Sequence, residues 1–259
     1  MGKRSEHEEH IVEMLKSRRR IELADVCEAL HVSEATARRY LSVLEENGTI
    51  IRTHGGAVLR EVSVAYSYSK EAAQMLDEKR HIAAKAAELV QNGEHIFMDT
   101  GTTLNEFGNA LFTRLSSGEI RDISIVTNSL TQSEALASLC SVTLTGGRMR
   151  SERRDLAGTI ALWTLSSYRF DRAVLGVDSI DSEGNLFTTD DDTAAMARQA
   201  IANSSNVMIL ADSLKLGRSS YVTFSKMLPN KMLLVTDSGI SDTFLKHIRG
   251  LGIQVILAE

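Results

Sequence analysis

The chain is poor in the residues that mark several protein classes. Its 259 residues include one proline, one tryptophan and two cysteines, Cys27 and Cys140. The cysteines lie far apart in the sequence, so they indicate neither a disulfide framework nor a zinc site. No apolar run reaches membrane-spanning length, and the charged first residues do not resemble a signal peptide. We therefore expect a globular, cytoplasmic protein with no metal, cofactor or membrane partner.

Charge is unevenly distributed along the chain. The formal net charge is −5, yet residues 1–60 hold ten Lys/Arg and ten Asp/Glu, whereas residues 61–259 hold 19 and 24. The length predicts two domains, and the acidic excess lies wholly in the larger part. If the neutral N-terminal part binds DNA, its cations must be gathered on one face. The candidate cations are Arg18, Arg19, Arg20, Arg38, Arg39, Arg52 and Arg60.

Residues 21–46 have the pattern of two helices joined by a tight turn. Apolar residues of the first helix recur at helical spacing, and His31-Val32 leads into Ser33, whose hydroxyl can cap the second helix. This arrangement predicts a helix-turn-helix. The positions expected to face its core are Leu23, Val26, Cys27, Leu30, Ala37, Leu41 and Leu44.

The outward face of the second helix carries two adjacent arginines. At roughly 100° per residue, Arg39 points away from the apolar stripe and Arg38 projects to one flank. Arginine is both the commonest partner of guanine edges and a strong phosphate binder, so either residue could specify a sequence or hold the DNA backbone. Tyr40 lies about 60° from the stripe, and we expect it to pack on the scaffold.

A hairpin is predicted directly after this helix. Asn47-Gly48 tolerates positive φ and ends the helix, and residues 49–58 have the pattern of two short strands around a turn. In order and spacing, this part of the chain resembles the DeoR family of bacterial winged-helix repressors. The resemblance rests on Ser33-x-x-Thr36-x-Arg38-Arg39 followed by His54-Gly55-Gly56-Ala57.

The resemblance implies a winged helix-turn-helix over residues 1–58 that binds a double-stranded DNA operator. Tyr40 departs from the family, which usually has an acidic residue there. Many winged helices dock proteins instead, and this alternative stays open at the level of sequence. The residues expected to contact DNA are Ser33, Ala35, Thr36, Arg38, Arg39, Ser42, Arg52, His54 and Gly55.

The remainder of the chain predicts an α/β domain. Residues 59–78 are polar and indicate a linker that turns into helix near Glu71, and from residue 79 to 259 short apolar strands alternate with helices. This alternation indicates a mostly parallel sheet covered on both faces. The predicted strands are 94–99, 123–127, 142–145, 172–176, 207–211, 232–236 and 254–257. The predicted helices are 79–91, 104–111, 131–139, 157–166, 193–202 and 242–251.

The loop after the first of these strands has the composition of an anion site. In a parallel sheet, ligands bind outside the carboxyl ends of the strands. Asp99-Thr100-Gly101-Thr102-Thr103 follows directly, and its amides and hydroxyls can surround an anion at a helix N-terminus. No Gly-Lys-Ser/Thr follows, so it is not the nucleotide-binding loop. A purely structural turn has the same composition, and that alternative stays open.

Four further strand ends carry small, hydroxyl or charged residues. Each is weak evidence alone, because such residues also cap helices and form turns. Their recurrence at corresponding ends favours a site for a sugar phosphate. The four groups are Thr127-Asn128-Ser129, Gly146-Gly147-Arg148, Gly176-Val177-Asp178, and 211–217, which includes Lys215.

These segments resemble the sensor domain of the DeoR family, which is similar in fold to ribose-5-phosphate isomerase. The resemblance covers about residues 79–240. It implies a domain that binds a phosphorylated sugar or related metabolite, with residues 99–103 as its phosphate loop. The implied effector-binding residues are Asp99, Gly101, Thr102, Thr103, Thr127, Asn128, Ser129, Gly147, Arg148, Asp178 and Lys215.

One segment departs from that family. Sensor domains commonly have a Glu-rich turn followed by a helical lysine, whereas this chain has aspartates at 190–192 and Ala197 in place of the lysine. The effector therefore differs from the commonest ones or binds through another contact. The glycine-rich lysine segment of sugar-phosphate isomerases is also missing, which disfavours the rival hypothesis of an isomerase. A protein-docking module without a ligand is a third hypothesis.

The expected function is that of a repressor of a carbohydrate-utilisation operon, released from DNA by a phosphorylated sugar. One winged domain covers only a few base pairs, so specific binding is expected to need a homo-oligomer, at least a dimer. Effector binding is expected to change DNA affinity through the linker at 60–78.

Overall fold

The computed structural model describes residues 3–18, 20–46, 50–53, 55–59 and 68–259. The chain forms two compact units, Met1–Tyr66 and Ser67–Glu259. Of the predicted linker, residues 60–67 lie outside the described residues, and the chain is helical from Tyr68 to Ala73 and again from Leu76.

The described residues of the first unit form a helical core with a small sheet. The helices are α1 (Lys3–Arg18), α2 (Leu23–Leu30) and α3 (Glu34–Glu46), and the strands are β1 (Arg20–Glu22), β2 (Ile50–Thr53) and β3 (Gly56–Leu59). β3 lies between β1 and β2 and is antiparallel to both. The predicted helix at 21–30 begins later because residues 20–22 pair with β3.

The interior of this unit confirms the predicted helical faces. Ala37, Leu41 and Leu44 of α3 are buried in one apolar cluster with Ile11 and Leu15 of α1. Tyr40 is also buried, and its hydroxyl lies 3.2 Å from His7 Nδ1. The expected scaffold role of Tyr40 is therefore confirmed. The predicted helix end at 47–48 lies outside the described residues.

A seven-stranded parallel sheet forms the centre of the second unit. Its order is β15-β14-β12-β9-β4-β5-β6, and every neighbouring pair is parallel. Each of the seven predicted strands is one strand of this sheet. The strands are β4 (His95–Met98), β5 (Ser124–Thr127), β6 (Ser141–Leu144), β9 (Phe170–Gly176), β12 (Ser204–Leu210), β14 (Met232–Asp237) and β15 (Gln254–Ala258).

Helices cover both faces of this sheet, as predicted. Side chains alternate along β4, so Phe97 enters one apolar cluster with Leu165 of α8, and Ile96 enters the other with Ile82 of α5 and Phe107 of α6. The helices are α4 (Tyr68–Ala73), α5 (Leu76–Glu88), α6 (Thr102–Ser116), α7 (Leu130–Leu136), α8 (Thr159–Ser166), α9 (Asp191–Asn203) and α10 (Asp242–Gly250). None of the described helices combines the length and apolar character needed to cross a membrane.

Two smaller antiparallel elements were not predicted. One is the hairpin β7–β8, and the other is a three-stranded sheet in the order β10-β11-β13. Their strands are short and partly polar, so the sequence lacks the apolar runs that mark the central strands. Their bounds are β7 (Arg148–Arg150), β8 (Asp155–Ala157), β10 (Ser179–Ile180), β11 (Asn185–Thr188) and β13 (Val222–Lys226).

Candidate DNA-binding and effector-binding sites

The start of α3 is stabilised by its own hydroxyl groups. Ser33 Oγ accepts a hydrogen bond from the Thr36 amide at 3.4 Å and lies 3.0 Å from Thr36 Oγ1. The predicted N-cap is thus present. Ser33 and Thr36 have a structural role at this helix end, and Ser33 is exposed and Thr36 partly exposed, so both remain accessible to a ligand.

The outward face of α3 presents the paired arginines. Arg38 and Arg39 are exposed, as is Ala35 one turn earlier. Arg38 Nη2 lies 3.2 Å from Glu34 Oε2, and both side chains are mostly in solvent. Such a surface pair contributes little stability, so Arg38 can exchange Glu34 for a DNA phosphate at small cost.

The hairpin β2–β3 is fastened to α3 by Arg52. Its guanidinium Nη1 donates to Ser42 Oγ at 2.8 Å, and its backbone amide donates to Glu45 Oε1 at 3.1 Å. The structure therefore brings two predicted DNA-contacting residues, Ser42 and Arg52, into direct contact. Both residues therefore hold the β2–β3 hairpin, which is the predicted wing, against α3, in addition to any role toward DNA.

The tip of the wing is held against the start of α2. The Gly55 carbonyl accepts the Leu23 amide at 2.7 Å. A Cβ on Gly56 would lie 1.9 Å from the Ile21 carbonyl oxygen, so only glycine allows β3 to approach β1 this closely. His54 and Arg60 lie outside the described residues, and so do the side chains of residues 18–20.

The five predicted effector loops lie along one edge of the second unit. They follow β12, β9, β4, β5 and β6, which are consecutive neighbours in the parallel sheet. Parallel strands end on the same edge, where open α/β sheets bind ligands. The tertiary structure thus places the five segments side by side.

A buried carboxyl group, Asp99, lies at the centre of this edge. Its Oδ1 accepts the Thr100 amide at 2.8 Å, and its side chain hydrogen-bonds that of Asn128. Burial raises the pKa of Asp99 to about 7, and the nearby Asp155 carboxylate adds to the rise; the Thr100 amide, the Arg150 charge and the Asn128 bond oppose it. Asp99 is therefore partly protonated near neutral pH.

Two buried oxygen atoms beside Asp99 lack partners. Among the described residues, nothing hydrogen-bonds Thr103 Oγ1 or Asn128 Oδ1. Gly101, at φ +139, turns the chain into α6, so the amides that begin this helix lie next to Thr103. An unpaired buried polar group is costly unless a ligand or water completes it. The Thr103 hydroxyl and the helix amides can therefore donate to an anion, whereas Asn128 Oδ1 needs a donor such as a hydroxyl.

Other predicted effector residues are already engaged within the protein. Ser129 Oγ caps α7 by accepting the Gln132 amide at 3.3 Å, and Thr127 Oγ1 accepts the Ser129 amide at 3.0 Å. Asp178 Oδ2 accepts the Thr188 hydroxyl at 3.1 Å. Gly147 has φ +108, and a Cβ there would lie 2.7 Å from the Ala157 carbonyl oxygen. These contacts give each residue a structural role.

An ion-pair network that the sequence did not predict links the β7–β8 hairpin to the start of α9. Arg150, on β7, donates to both carboxylate oxygens of the fully buried Asp155 and to Asp190 Oδ1 at 2.7 Å. Arg153 Nη2 lies 3.1 Å from Asp190 Oδ2, and the exposed Arg148 pairs with Asp192 at 2.7 Å. A signal was available, since arginines at 148, 150 and 153 match the charges of aspartates at 190 and 192.

The carboxylate of Asp190 is charged in this network. Burial alone would raise its pKa, but hydrogen bonds from Thr193 and the charges of Arg153 and Arg150 lower it below the usual range. Ala197, which stands where the family has lysine, is only 2% exposed and packs in the apolar core of α9. Among the described residues, the cations that pair with the aspartates at the start of α9 are Arg148 and Arg150 of β7 and Arg153 of the turn after it, and none of them is on α9.

A second unpredicted residue is a buried lysine. Lys79, in the first turn of α5, is 1% exposed, and its Nζ donates to the carbonyl oxygens of Glu71 and Gln74. Burial lowers its pKa, and the neighbouring Lys215 charge lowers it further, against the carboxylates of Asp212, Glu71 and Glu106. No pattern in Asp77-Glu78-Lys79-Arg80 distinguishes this lysine from surface charge. The structure thus places two ammonium groups close together, one of them on a predicted effector loop.

Comparison with known families matches both units. Residues 8–62 match the DeoR-like helix-turn-helix domain, and residues 74–238 match the DeoR C terminal sensor domain. The chain is 32% identical over 253 residues to the HTH-type transcriptional repressor GlcR of Bacillus subtilis (strain 168), covering 96% of this chain and 94% of that protein. It is 34% identical over 227 residues to the glycerol-3-phosphate regulon repressor of Escherichia coli (strain K12), covering 87% and 88%.

A looser likeness links the chain to a solved structure. Ribose 5-phosphate isomerase from Plasmodium falciparum superposes with a TM-score of 0.42 at 21% identity, over 54% of this chain and 52% of that one.

Proposed function

The chain belongs to the DeoR family of transcriptional regulators, and we propose that it represses a carbohydrate-utilisation operon and leaves the operator when a phosphorylated sugar binds. It is a DNA-binding regulator and not an enzyme, since its relatives along nearly the whole chain are transcriptional repressors. The isomerase alternative is set aside on the same ground. We propose that it acts in the cytoplasm.

The DNA-binding part of the proposal is supported by the geometry of α3. Its capped start and its exposed Arg38 and Arg39 belong to the helix to which Arg52 fastens the β2–β3 hairpin. The two arginines can donate to base edges or phosphates without breaking any contact of the core.

One observation carries the effector part: the unpaired, buried Thr103 Oγ1 beside the start of α6. A phosphate would accept from this hydroxyl and from the helix amides. Asn128 Oδ1 requires a donor, which a sugar hydroxyl supplies. Lys215 lies on one of the effector loops and the nearby Lys79 adds positive charge, which favours an anionic ligand. Lys79 itself donates to the carbonyl oxygens of Glu71 and Gln74, so we do not count it among the residues that contact the effector.

We further propose that the regulator is a dimer joined through α8. This helix buries Ala161 and Leu165, yet its Ile160 and Trp163 are 65% and 71% exposed, and Met149 on β7 is 61% exposed. Ile160 lies over Gly146, which follows β6, an edge strand of the sheet. An apolar face beside an open strand edge is unfavourable in a monomer.

A second copy is the occupant that this face fits best. Operator recognition by a winged helix needs paired half-sites and therefore two chains. A dimer interface typically removes about 800 Å² from each partner, and large exposed apolar side chains such as Trp163 form the centre of such surfaces. The same face of two copies would meet across a two-fold axis.

Two measurements on the full chain test the proposal. Fluorescence anisotropy with DNA from upstream of its own gene should show specific binding that weakens as salt rises. A thermal-shift panel should show stabilisation by sugar phosphates but not by the unphosphorylated sugars, and the stabilising ester should release the DNA. Failure to bind any such DNA would overturn the repressor role, and a panel with no response would overturn the effector class.

A further inference from the structure

The helix α4 connects the candidate effector site to the chain that leads from the DNA-binding unit. It is the first described element after residues 60–67, and it has six residues. A helix this short is unstable alone, so its structure depends on contacts with its surroundings. We propose that α4 transmits occupancy of the effector site to the linker, with Lys79 and Tyr68 as the positioning residues. This inference rests on the proposed effector function.

Lys79 supports the C-terminal end of α4. Its ammonium donates to the Glu71 carbonyl, in the last turn of α4, and to the Gln74 carbonyl at 2.8 Å. A cation is favourable at a helix C-terminus, where carbonyl groups lack amide partners. The same cation lies in the first turn of its own helix, α5, where the helix dipole opposes it. Its position therefore benefits α4 rather than α5.

The hydrogen bonds from Lys79 to the end of α4 are sensitive to charge on the nearby effector loop that carries Lys215. Lys215, on the loop after β12, repels the Lys79 ammonium, while the carboxylates of Asp212, Glu71 and Glu106 attract it. An anion bound beside Lys215 would offset this repulsion at the position from which Lys79 donates to the carbonyl oxygens of Glu71 and Gln74. Effector binding therefore strengthens the bonds from Lys79 to α4.

Tyr68 supports the other end of α4. Arg154 Cζ lies 4.6 Å from the centre of the Tyr68 ring, within the range of a cation–π contact. Arg154 has a left-handed backbone at φ 57, and its carbonyl accepts the Leu130 amide at 3.2 Å. Leu130 follows the predicted effector residues Asn128 and Ser129. One end of α4 thus contacts Lys79, which neighbours Lys215 of an effector loop, and the other end contacts Arg154, which is hydrogen-bonded to the residue that follows Ser129.

These contacts predict that an empty site leaves α4 weakly held and that an occupied site stabilises it. The N-terminal end of α4, at Tyr68, is then held differently in the two states. If DNA binding requires the protein form in which α4 is weakly held, an effector that binds better to the form with a stabilised α4 reduces the population of the DNA-binding form.

Hydrogen exchange on the full chain tests this directly, with inorganic phosphate as the probe and chloride at equal ionic strength as the control. Amides of residues 68–79 should exchange about tenfold more slowly with phosphate, a change within the usual range of allosteric coupling. Amides of β15, which β14 separates from the five strands that carry the effector loops, should not change. A Tyr68→Leu variant should still be stabilised by phosphate in thermal denaturation but lose the slowed exchange, and Tyr68→Phe should retain it.

The outcomes separate this inference from the effector site on which it rests. If phosphate stabilises the protein but exchange over 68–79 is unchanged, the role of α4 is overturned while the effector site stands. If phosphate has no effect on melting or exchange, the anion site and the role of α4 both fall. A Lys79→Gln variant that folds should behave like Tyr68→Leu; retention of the slowed exchange in both variants would overturn the inference.

Discussion

The Arg150 guanidinium donates two parallel hydrogen bonds to the Asp155 carboxylate, from Nε to Oδ1 at 2.8 Å and from Nη2 to Oδ2 at 2.6 Å. The Asp155 side chain is fully buried, and that of Arg150 is 14% exposed. Burial alone would lower the pKa of Arg150, but its bonds to Asp155 and Asp190 raise it well above the usual range. The pair joins β7 to β8, and the further bonds of Arg150 to Asp190 Oδ1 and Thr193 Oγ1 join this hairpin to the start of α9.

Replacing Arg150→Met should destabilise the protein strongly. The change leaves Asp155 buried without its counterion, a loss of about 3–5 kcal/mol in comparable cases. Arg148→Met is the matched control, because Arg148 forms an exposed pair with Asp192 that is worth less than about 1 kcal/mol. Urea denaturation of both variants measures the difference. Equal stability of the two would contradict the structural role of the network.

Removing both arginines of α3 should abolish operator binding without unfolding the protein. Arg38→Ala with Arg39→Ala deletes two exposed cations, and each lost phosphate contact reduces the slope of log K against log salt by about 0.9. Anisotropy titrations at several salt concentrations measure affinity and slope together. The control is Arg121→Ala with Arg218→Ala, two exposed arginines of the second unit. An unchanged affinity and slope in the α3 variant would exclude this helix from the DNA interface.

The variant Thr103→Val should weaken effector binding and leave the fold intact. It keeps the shape of the side chain and removes a buried hydroxyl that has no partner among the described residues. One hydrogen bond to a charged group contributes about 1.5–3 kcal/mol, so affinity for a sugar phosphate should fall by at least about tenfold. Thr113→Val, on the exposed side of α6, is the control. Unchanged affinity in isothermal titration would remove Thr103 from the site.

The buried Asp99 should make stability fall as pH rises from about 4 to 7. Its pKa of about 7 in the folded state exceeds the ordinary 3.8, so over this interval the folded state holds a proton that the unfolded state has lost. Asp99→Asn removes this contribution, and the difference between wild type and variant should change by a few kcal/mol across the interval. Denaturation at several pH values tests it, with the exposed Asp77→Asn as control. Parallel profiles for wild type and Asp99→Asn would show that Asp99 is not the titrating group.

The single tryptophan should report on the dimer. Trp163→Glu places a charge at the centre of the apolar face and should convert the dimer to a monomer in light scattering. In wild type, Trp163 emission should shift to shorter wavelength as protein concentration rises. Tyr221→Glu is the control, since Tyr221 is equally exposed at 72% but lies outside the face formed by Met149, Ile160 and Trp163. A Trp163→Glu variant that stays dimeric would move the interface elsewhere.

Local periodicity in the sequence was enough to predict the elements that lie at the centre of each unit. Apolar spacing identified α2, α3 and all seven strands of the parallel sheet, because each buries a regular stripe or a continuous run of apolar side chains. The elements it missed are short or polar: α1, β1, the hairpin β7–β8 and the sheet β10-β11-β13. These depend on partners distant in the chain, as β1 does on β3.

The sequence by itself determined the two-domain family architecture, the paired arginines of a capped helix and the loop at 99–103, because these follow from residues close together in the chain. Only the tertiary structure decided which charges are buried. Lys79 and Arg150 look like ordinary surface cations in sequence, yet one is enclosed against the carbonyls of α4 and the other against Asp155. Arg150, for example, also pairs with Asp190, which lies far from it in the sequence. Ion pairs between residues so far apart leave no periodic pattern along the chain.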